Sequence, residues 1–283
     1  MNLKDKVYLV TGATSGIGKE TATALSAMGG NVVFTARSAK KGEETLKEIV
    51  SRTGNNQTSF LVVDFSSLSS VRQLACDFAR THNRLDALIN NAGVMEHERK
   101  VSRDGFEMDF AVNYLAPFLL TKLLLPLLKS SAPSRIVNVS SSLHGQGKIN
   151  FEDMQSGHSF DLYKTYAQSK LALILFTKKL AHELSGTGVT ANALNPGVVT
   201  TKMTLKNIEH MNPIIRFFYQ KTALSVKRGA ETSVYLAVSP EVEKITGEYF
   251  EDKKIKKSSS LSKDNALAEK IWNFTEKLVG RTL

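Results

Sequence analysis

Seven short apolar runs alternate with segments of helical length along the 283-residue chain, and this alternation limits the possible folds more than any other feature. The runs are residues 7–10, 31–36, 59–63, 85–90, 135–140, 189–194 and 248–250. Between them lie helical patterns at 16–28, 40–51, 69–81, 105–129, 162–184 and 227–238, with a last helix expected over 265–279. Runs such as Tyr8-Leu9-Val10 and Ile136-Val137 are apolar on both faces, as strands are when helices cover both sides of their sheet. Strand–helix alternation implies parallel strands joined by crossovers. The expected architecture is a doubly wound α/β fold: a parallel, seven-stranded sheet with helices on both faces. No polar linker or internal repeat divides the chain, so residues 1–283 read as one domain.

The first strand leads into Thr11-Gly12-Ala13-Thr14-Ser15-Gly16-Ile17-Gly18 and then directly into a helix. Glycines let a backbone approach a pyrophosphate, and a helix start offers free N–H groups and a positive dipole end. A Gly-rich turn alone is weak, but its place between the first strand and first helix points to a Rossmann-type dinucleotide site. The second strand ends at Ala36-Arg37-Ser38, where NAD-binding sites usually carry a carboxylate for the ribose 2′-hydroxyl. Here Arg37, with Lys40 and Lys41 close by, points to the 2′-phosphate of NADP(H).

These features resemble the short-chain dehydrogenase/reductase family over nearly the whole chain. Its TGxxxGxG matches Thr11 to Gly18, including Gly12, Thr14, Ser15, Gly16, Ile17 and Gly18. Its adenine-side Asp matches Asp64, and its NNAG matches Asn90-Asn91-Ala92-Gly93. Its helical Asn matches Asn113, its Ser falls within Ser140-Ser141-Ser142, and its YxxxK matches Tyr166 and Lys170. Its PGxVxT matches Pro196-Gly197-Val198-Val199-Thr200-Thr201. The retinol dehydrogenase-like branch looks most similar, through 135–141, 169–172 and the 247–258 tail. The resemblance implies cofactor contacts from these residues, Pro196, Gly197, Val199 and Thr201 included. It also implies a catalytic group of Asn113, Ser141, Tyr166 and Lys170.

Tyr166 and Lys170 are four residues apart in a helical segment and so share a face. An ordinary tyrosine titrates near 10, and a neighbouring ammonium favours its phenolate. The pair suits general acid/base chemistry on an alcohol or carbonyl, while the nicotinamide carries the hydride. In the family's scheme the proton passes through ribose, Lys170 and a water held by Asn113. A serine hydroxyl is needed to stabilise charge on the substrate oxygen. Strand alternation sets Ser140 and Ser142 opposite to Ser141, and the family pattern selects Ser141. The Ser141–Tyr166 spacing exceeds that of compact family members, so 147–161 is expected to form a loop near the site. Tyr163 has no lysine four residues on and reads as packing. His144 and His158 lack partners at metal spacing and read as surface or loop residues, so no metal is expected. Lys178 and Lys179 read as a solvated helix face.

On the substrate side, the apolar residues between about 200 and 225 suggest a lid, and with it a lipophilic aldehyde, ketone or alcohol. An amphipathic helix packed on the body is the alternative. Two other functions share the fold. An epimerase or dehydratase would carry a different glycine spacing and a larger C-terminal domain. A non-catalytic NADP(H) sensor would commonly have lost the Tyr or Lys.

The net charge of +10 comes from scattered lysines with no nucleic-acid motif, so no nucleic-acid partner is expected. The one dense cluster, Lys253, Lys254, Lys256 and Lys257, has no adjacent apolar anchor and implies at most weak peripheral contact with acidic lipid. The single cysteine, Cys76, excludes an intrachain disulfide and fits a reducing compartment. A strand begins within the first ten residues, and the most apolar segment, 115–128, is broken by Pro117, Lys122 and Pro126. No integral membrane segment is therefore expected, and a soluble, cytoplasmic protein is. Family members are often built into homo-oligomers through two long helices, and the resemblance admits the same here.

Overall fold

A computed structural model describes residues 2–208 and 223–280. Its sheet runs β3-β2-β1-β4-β5-β6-β7-β8. The strands are β1 (Val7–Val10), β2 (Asn31–Ala36), β3 (Ser59–Val62), β4 (Ala87–Asn90), β5 (Ser134–Val139), β6 (Val189–Asn195), β7 (Tyr249–Glu251) and β8 (Lys254–Ile255). All neighbours are parallel except β7 and β8. The sheet thus has eight strands where seven were expected. The additional one is a two-residue edge strand reached through Asp252 and Lys253, both at positive φ. Two successive positive-φ residues make the tight reversal a hairpin needs, but neither is the glycine that usually announces one.

Helices α1 (Gly16–Ala27), α2 (Ala39–Thr53) and α8 (Val226–Val238) pack with the core on one face, around Val10, Phe34, Ile89 and Leu236. On the other, α3 (Leu68–Thr81), α5 (Ala116–Ser130), α6 (Leu162–Glu183) and α9 (Asn265–Gly280) enclose Leu9, Leu88, Phe118, Phe176 and Trp272. Helix α9 lies across α5 and α6. Trp272 meets the rings of Phe118 and Phe176 at 5.2 and 5.8 Å, Tyr114 Oη lies 2.8 Å from Thr275 Oγ1, and Lys179 pairs with Glu269 at 2.6 Å.

The helix expected over 105–129 begins at Met108 and ends at Ser130. It comprises α4 (Met108–Phe110), a π-turn (Ala111–Leu115) and α5, giving a span over Met108–Ser130 long and apolar enough to cross a membrane. Most of that span is buried inside the fold, with Tyr114, Phe118, Leu120 and Leu128 fully enclosed, as in a core helix. The lid expected near 200–225 falls partly outside the described residues. On its N-terminal side stands α7 (Lys202–Ile208). On its C-terminal side the chain is tied back by Leu224, whose N–H donates to the Val198 carbonyl at 2.7 Å.

Candidate active site

Strand order reverses between β1 and β4, and ligands of open α/β sheets bind beyond the strand carboxyl ends at such a point. The expected site segments lie at those ends. Thr11–Ser15 follows β1, Arg37 β2, Asp64 β3, Asn91–Gly93 β4, Ser140–Ser142 β5 and Pro196–Thr201 β6.

The turns after β1 and β4 are built against each other. Thr11 Oγ1 accepts the N–H groups of Asn91 and Ala92 at 3.0 and 2.9 Å, and the Asn91 amide donates back to the Thr11 carbonyl at 2.8 Å. Gly12 has φ +65, and a Cβ there would lie 2.7 Å from Ala92 Cα. A side chain at Gly18 would strike the Asn91 amide and the Gly12 carbonyl. Gly16 faces Thr201, and Val199 packs beside Ile17 at Gly229. Thr14 and Ser15 complete the turn. Ser15 precedes α1 with no side-chain cap, and no acidic residue stands in the helix's first turn. By contrast, Ser38, Ser67 and Asp161 cap α2, α3 and α6 with their own side chains. The amides at the start of α1 thus have no side-chain cap, a helix start that can take an anion.

Arg37 is exposed just before the N-terminus of α2. Asp64 lies half-buried, its Oδ2 3.1 Å from Arg103 Nε and its Oδ1 accepting from the Ser66 amide and hydroxyl. Burial pushes the Asp64 carboxyl up, but the Ser66 bonds, then Arg103 and Arg37, outweigh it and hold the group below the usual carboxylate range.

Tyr166 and Lys170 are buried on one side of α6, with Lys170 Nζ 5.5 Å from the Tyr166 ring centre. Lys170 donates to the Val139 carbonyl at 3.0 Å, and its own carbonyl accepts the Ser140 hydroxyl at 3.1 Å. Burial brings the Lys170 ammonium down to about 8, opposed by the carboxyl of Asp109. Ser140 faces inward and Ser141 the opposite way, half-exposed, as strand alternation requires. Ser142 is exposed because a 3-10 turn (Ser142–Gln146), not the strand, carries it.

Asn113 sits in the π-turn, a distortion frequent at functional sites. Its amide nitrogen donates to the Val94 carbonyl at 2.9 Å and to Ser169 Oγ at 3.0 Å, and its oxygen accepts Val94 N–H at 2.8 Å. Both amide donors are therefore taken by protein, and the side chain ties the β4 turn to α6. Gly93 makes this possible. A Cβ there would lie 3.1 Å from Asn113 Oδ1 and 3.4 Å from Lys170 Nζ.

Several residues differ from expectation. His144 is buried rather than on the surface. Tyr163 is 39% exposed rather than packed, because it stands in the first turn of α6 facing outward. Lys178 is half-buried, donating to the Gly247 carbonyl, and Lys179 bridges Glu183 and Glu269. His158, by contrast, is exposed beside Asp153, as expected of a surface residue. Two buried carboxyls at the start of α4 were not singled out at all. Glu107 caps the start of α4, and Asp109 stands one turn before Asn113 with Oδ2 buried and without a hydrogen-bond partner among the described residues. Burial, then the neighbouring Glu107, raises Asp109 to about 8. The spacing of Asp109 to Asn113 was the available signal. Segment 147–161 lies against α6 through Gln168 and Thr165, and Gln155 accepts the Glu107 amide hydrogen at 2.7 Å. No group of residues able to hold a metal occurs among the described residues.

Residues 6–212 match the family model for short chain dehydrogenases. Retinol dehydrogenase 13 of Mus musculus is 42% identical over 280 residues, covering 97% of this chain and 84% of that protein. Retinol dehydrogenase 12 of Homo sapiens is 42% identical over 282 residues, covering 99% and 88%. Among solved structures, an uncharacterized protein of Mycobacterium paratuberculosis superposes with TM-score 0.79 at 29% identity, over 99% of this chain and 95% of that one. The RhlG/NADP active-site complex of Pseudomonas aeruginosa gives 0.72 at 25% identity, over 88% and 95%.

Proposed function

The chain belongs to the short-chain dehydrogenase family of oxidoreductases, and from that membership we propose an NADP(H)-dependent enzyme that interconverts a lipophilic aldehyde or ketone with its alcohol. The observation that carries the reading is the placing of Lys170 beside the Tyr166 ring, at the end of β5 and close to Gly93 in the turn built against the glycine turn.

The residues present fit a dinucleotide. Gly12 and Gly18 leave a cradle that a Cβ would fill, and the uncapped start of α1 offers its amides to a pyrophosphate. Thr14, Ser15, Gly16 and Ile17 would line that end, Asp64 the adenine, and Asn91, Ala92 and Gly93 the middle. Lys170, Pro196, Gly197, Val199 and Thr201 would flank the nicotinamide half. Arg37 at the start of α2 suits a 2′-phosphate, and the Pseudomonas aeruginosa relative was solved with NADP.

When bound, the nicotinamide supplies the hydride. The chain's own part is to hold the substrate oxygen and move a proton. Tyr166 gives its hydroxyl proton to that oxygen in reduction and takes it back in oxidation. The Lys170 ammonium stabilises the charge left on the phenolic oxygen, and Ser141 donates to the substrate oxygen. Asn113 fixes the β4 turn against α6, which keeps Lys170 in place. Val198, Leu205 and Leu224 are apolar and 37–43% exposed on the segments leading from the β6 turn, and Tyr163 is exposed at the start of α6. They suit a substrate with an apolar body, in keeping with relatives named for retinol.

The test is NADPH and NADH consumption against a panel of aliphatic, aromatic and polyene aldehydes, with sugar phosphates as the contrast. Turnover with apolar carbonyls and NADPH is expected. Activity confined to small charged substrates, or absent throughout, overturns the reading.

A further inference from the structure

The 3-10 turn after Ser141 holds a histidine whose two ring nitrogens are both engaged by backbone. His144 Nδ1 lies 2.7 Å from the Ser141 carbonyl, and the Ser259 N–H points at Nε2 from 3.1 Å. A backbone amide can only donate, so Nε2 is the acceptor, and the ring hydrogen is on Nδ1, donated to the Ser141 carbonyl. The ring is buried and packs at 4.8 Å on Tyr249 of β7. Ser259 belongs to a strap that is itself fixed. The Lys256 amide donates to the Tyr249 carbonyl, and Ser262 Oγ lies 2.7 Å from both Ser258 Oγ and the Ser259 carbonyl, donating its one hydrogen to the carbonyl.

We infer that His144 is a positioning residue for Ser141, and that its neutral imidazole couples the C-terminal strap 256–263 to the geometry of the reacting serine. The inference rests on the role proposed for Ser141. Ser141 caps the turn, accepting the Leu143 amide hydrogen on Oγ at 3.2 Å, and its carbonyl is the atom that His144 holds. A shift of that carbonyl rotates the peptide and with it the hydroxyl that meets the substrate oxygen. Protonation puts a second hydrogen on Nε2, facing the Ser259 N–H, and the bridge opens on the strap side. The elements packed around the ring carry Tyr163, Lys164, Tyr166, Lys170, Lys178, Lys179, His182 and Glu183 on α6, Tyr249 and Glu251 on β7, and Lys256, Lys257 and Lys263 on the strap. Burial sets the ring's low proton affinity, and the Ser141 bond opposes it. The neutral form therefore prevails above the usual histidine value of about 6.5.

The experiment has a turnover arm and a spectroscopic arm. His144→Phe keeps the ring and the Tyr249 contact but loses both bonds. It is expected to lower kcat about tenfold, as loss of about one hydrogen bond would, with KM for NADPH unchanged. The parent enzyme is expected to lose kcat on the acid side, below the usual histidine range, and His144→Phe should flatten that fall. Ser259→Pro removes the donating N–H and should match His144→Phe, whereas Ser259→Ala keeps it and should match the parent. Independently of turnover, 15N-histidine spectra at pH 7.5 should show His144 protonated on Nδ1 alone, and Ser259→Pro should change its Nε2 signal. Equal behaviour of the two Ser259 variants, a retained acid fall in His144→Phe, or an Nε2-protonated ring overturns the inference. A parent enzyme inactive with every carbonyl fails the functional reading instead, and the nitrogen signals then still decide the bridge.

Discussion

Lys170 lies 5.5 Å from the centre of the Tyr166 ring while donating to the Val139 carbonyl at 3.0 Å. The β5 strand end thus fixes the ammonium against the phenol, and a cofactor need only meet a pair already in place. Preorganised charge of this kind stabilises a developing oxyanion without reorganisation.

Removing the phenolic hydroxyl separates chemistry from binding. Tyr166→Phe keeps the buried ring and its packing, so NADPH affinity, read by fluorescence titration, should stay within about threefold, while kcat should fall by about a thousandfold, within the range of general acid catalysis. Residual turnover near the parent level would overturn the assignment of Tyr166.

Cofactor choice should turn on Arg37. It is exposed at the end of β2, beside the start of α2, with no nearby carboxylate of its own strand end to bind a ribose hydroxyl. If Arg37 holds the 2′-phosphate as proposed, Arg37→Asp would remove a charge-assisted bond worth about 1.5–3 kcal/mol and place a negative charge beside that phosphate. The ratio of kcat/KM for NADPH over NADH should fall at least about a hundredfold. Initial rates with both cofactors check this, and an unchanged ratio would remove Arg37 from the site.

What could be read from the sequence was whatever depends on local residue type. Gly12 must adopt φ +65 against Ala92, and Tyr166 and Lys170 must share a helix face, so spacing alone located them. The apolar runs placed strands β1 to β7, and in β1, β2, β4, β5 and β6 burial on both faces leaves no polar alternation. What stayed hidden depends on distant partners. His144 is buried among partners far along the chain, Tyr249 at 4.8 Å and Ser259, 115 positions on. Asp109 looks like any helical acid until Glu107 and the core surround it. The hairpin into β8 uses two positive-φ residues that composition does not distinguish from a loop.

The C-terminal helix is held to the body by Trp272, whose ring meets Phe118, Phe176 and the Lys122 ammonium at 5.2, 5.8 and 4.9 Å. Trp272→Ala should cost about 3–5 kcal/mol, as large aromatic deletions in cores do. Urea unfolding monitored by circular dichroism reads the loss. A change below about 1 kcal/mol would show that α9 contributes little to the core it covers.

Asp109 gives stability a dependence on pH whose sign follows from its surroundings. Burial, then Glu107, raises the folded-state pKa to about 8, far above the unfolded carboxyl's value of about 3.9. Between roughly pH 4 and pH 8 the unfolded chain has released a proton that the native protein still holds, so rising pH favours unfolding across that window. Below it both states are protonated and the cost vanishes. An asparagine amide in its place carries no proton to release, and its oxygen can still accept the Glu96 amide hydrogen that Asp109 accepts at 3.1 Å. Asp109→Asn should therefore raise stability by on the order of 2 kcal/mol more at pH 8 than at pH 5, measured as urea midpoints at the two pH values. Once ionised, near pH 8, the Asp109 carboxylate helps to hold the Lys170 ammonium charged, so Lys170 should titrate lower in the same variant, moving the alkaline limb of the turnover profile downward. An equal stability change at both pH values would show that Asp109 is ionised in the native protein and that the carboxyl behind Lys170 is not held neutral.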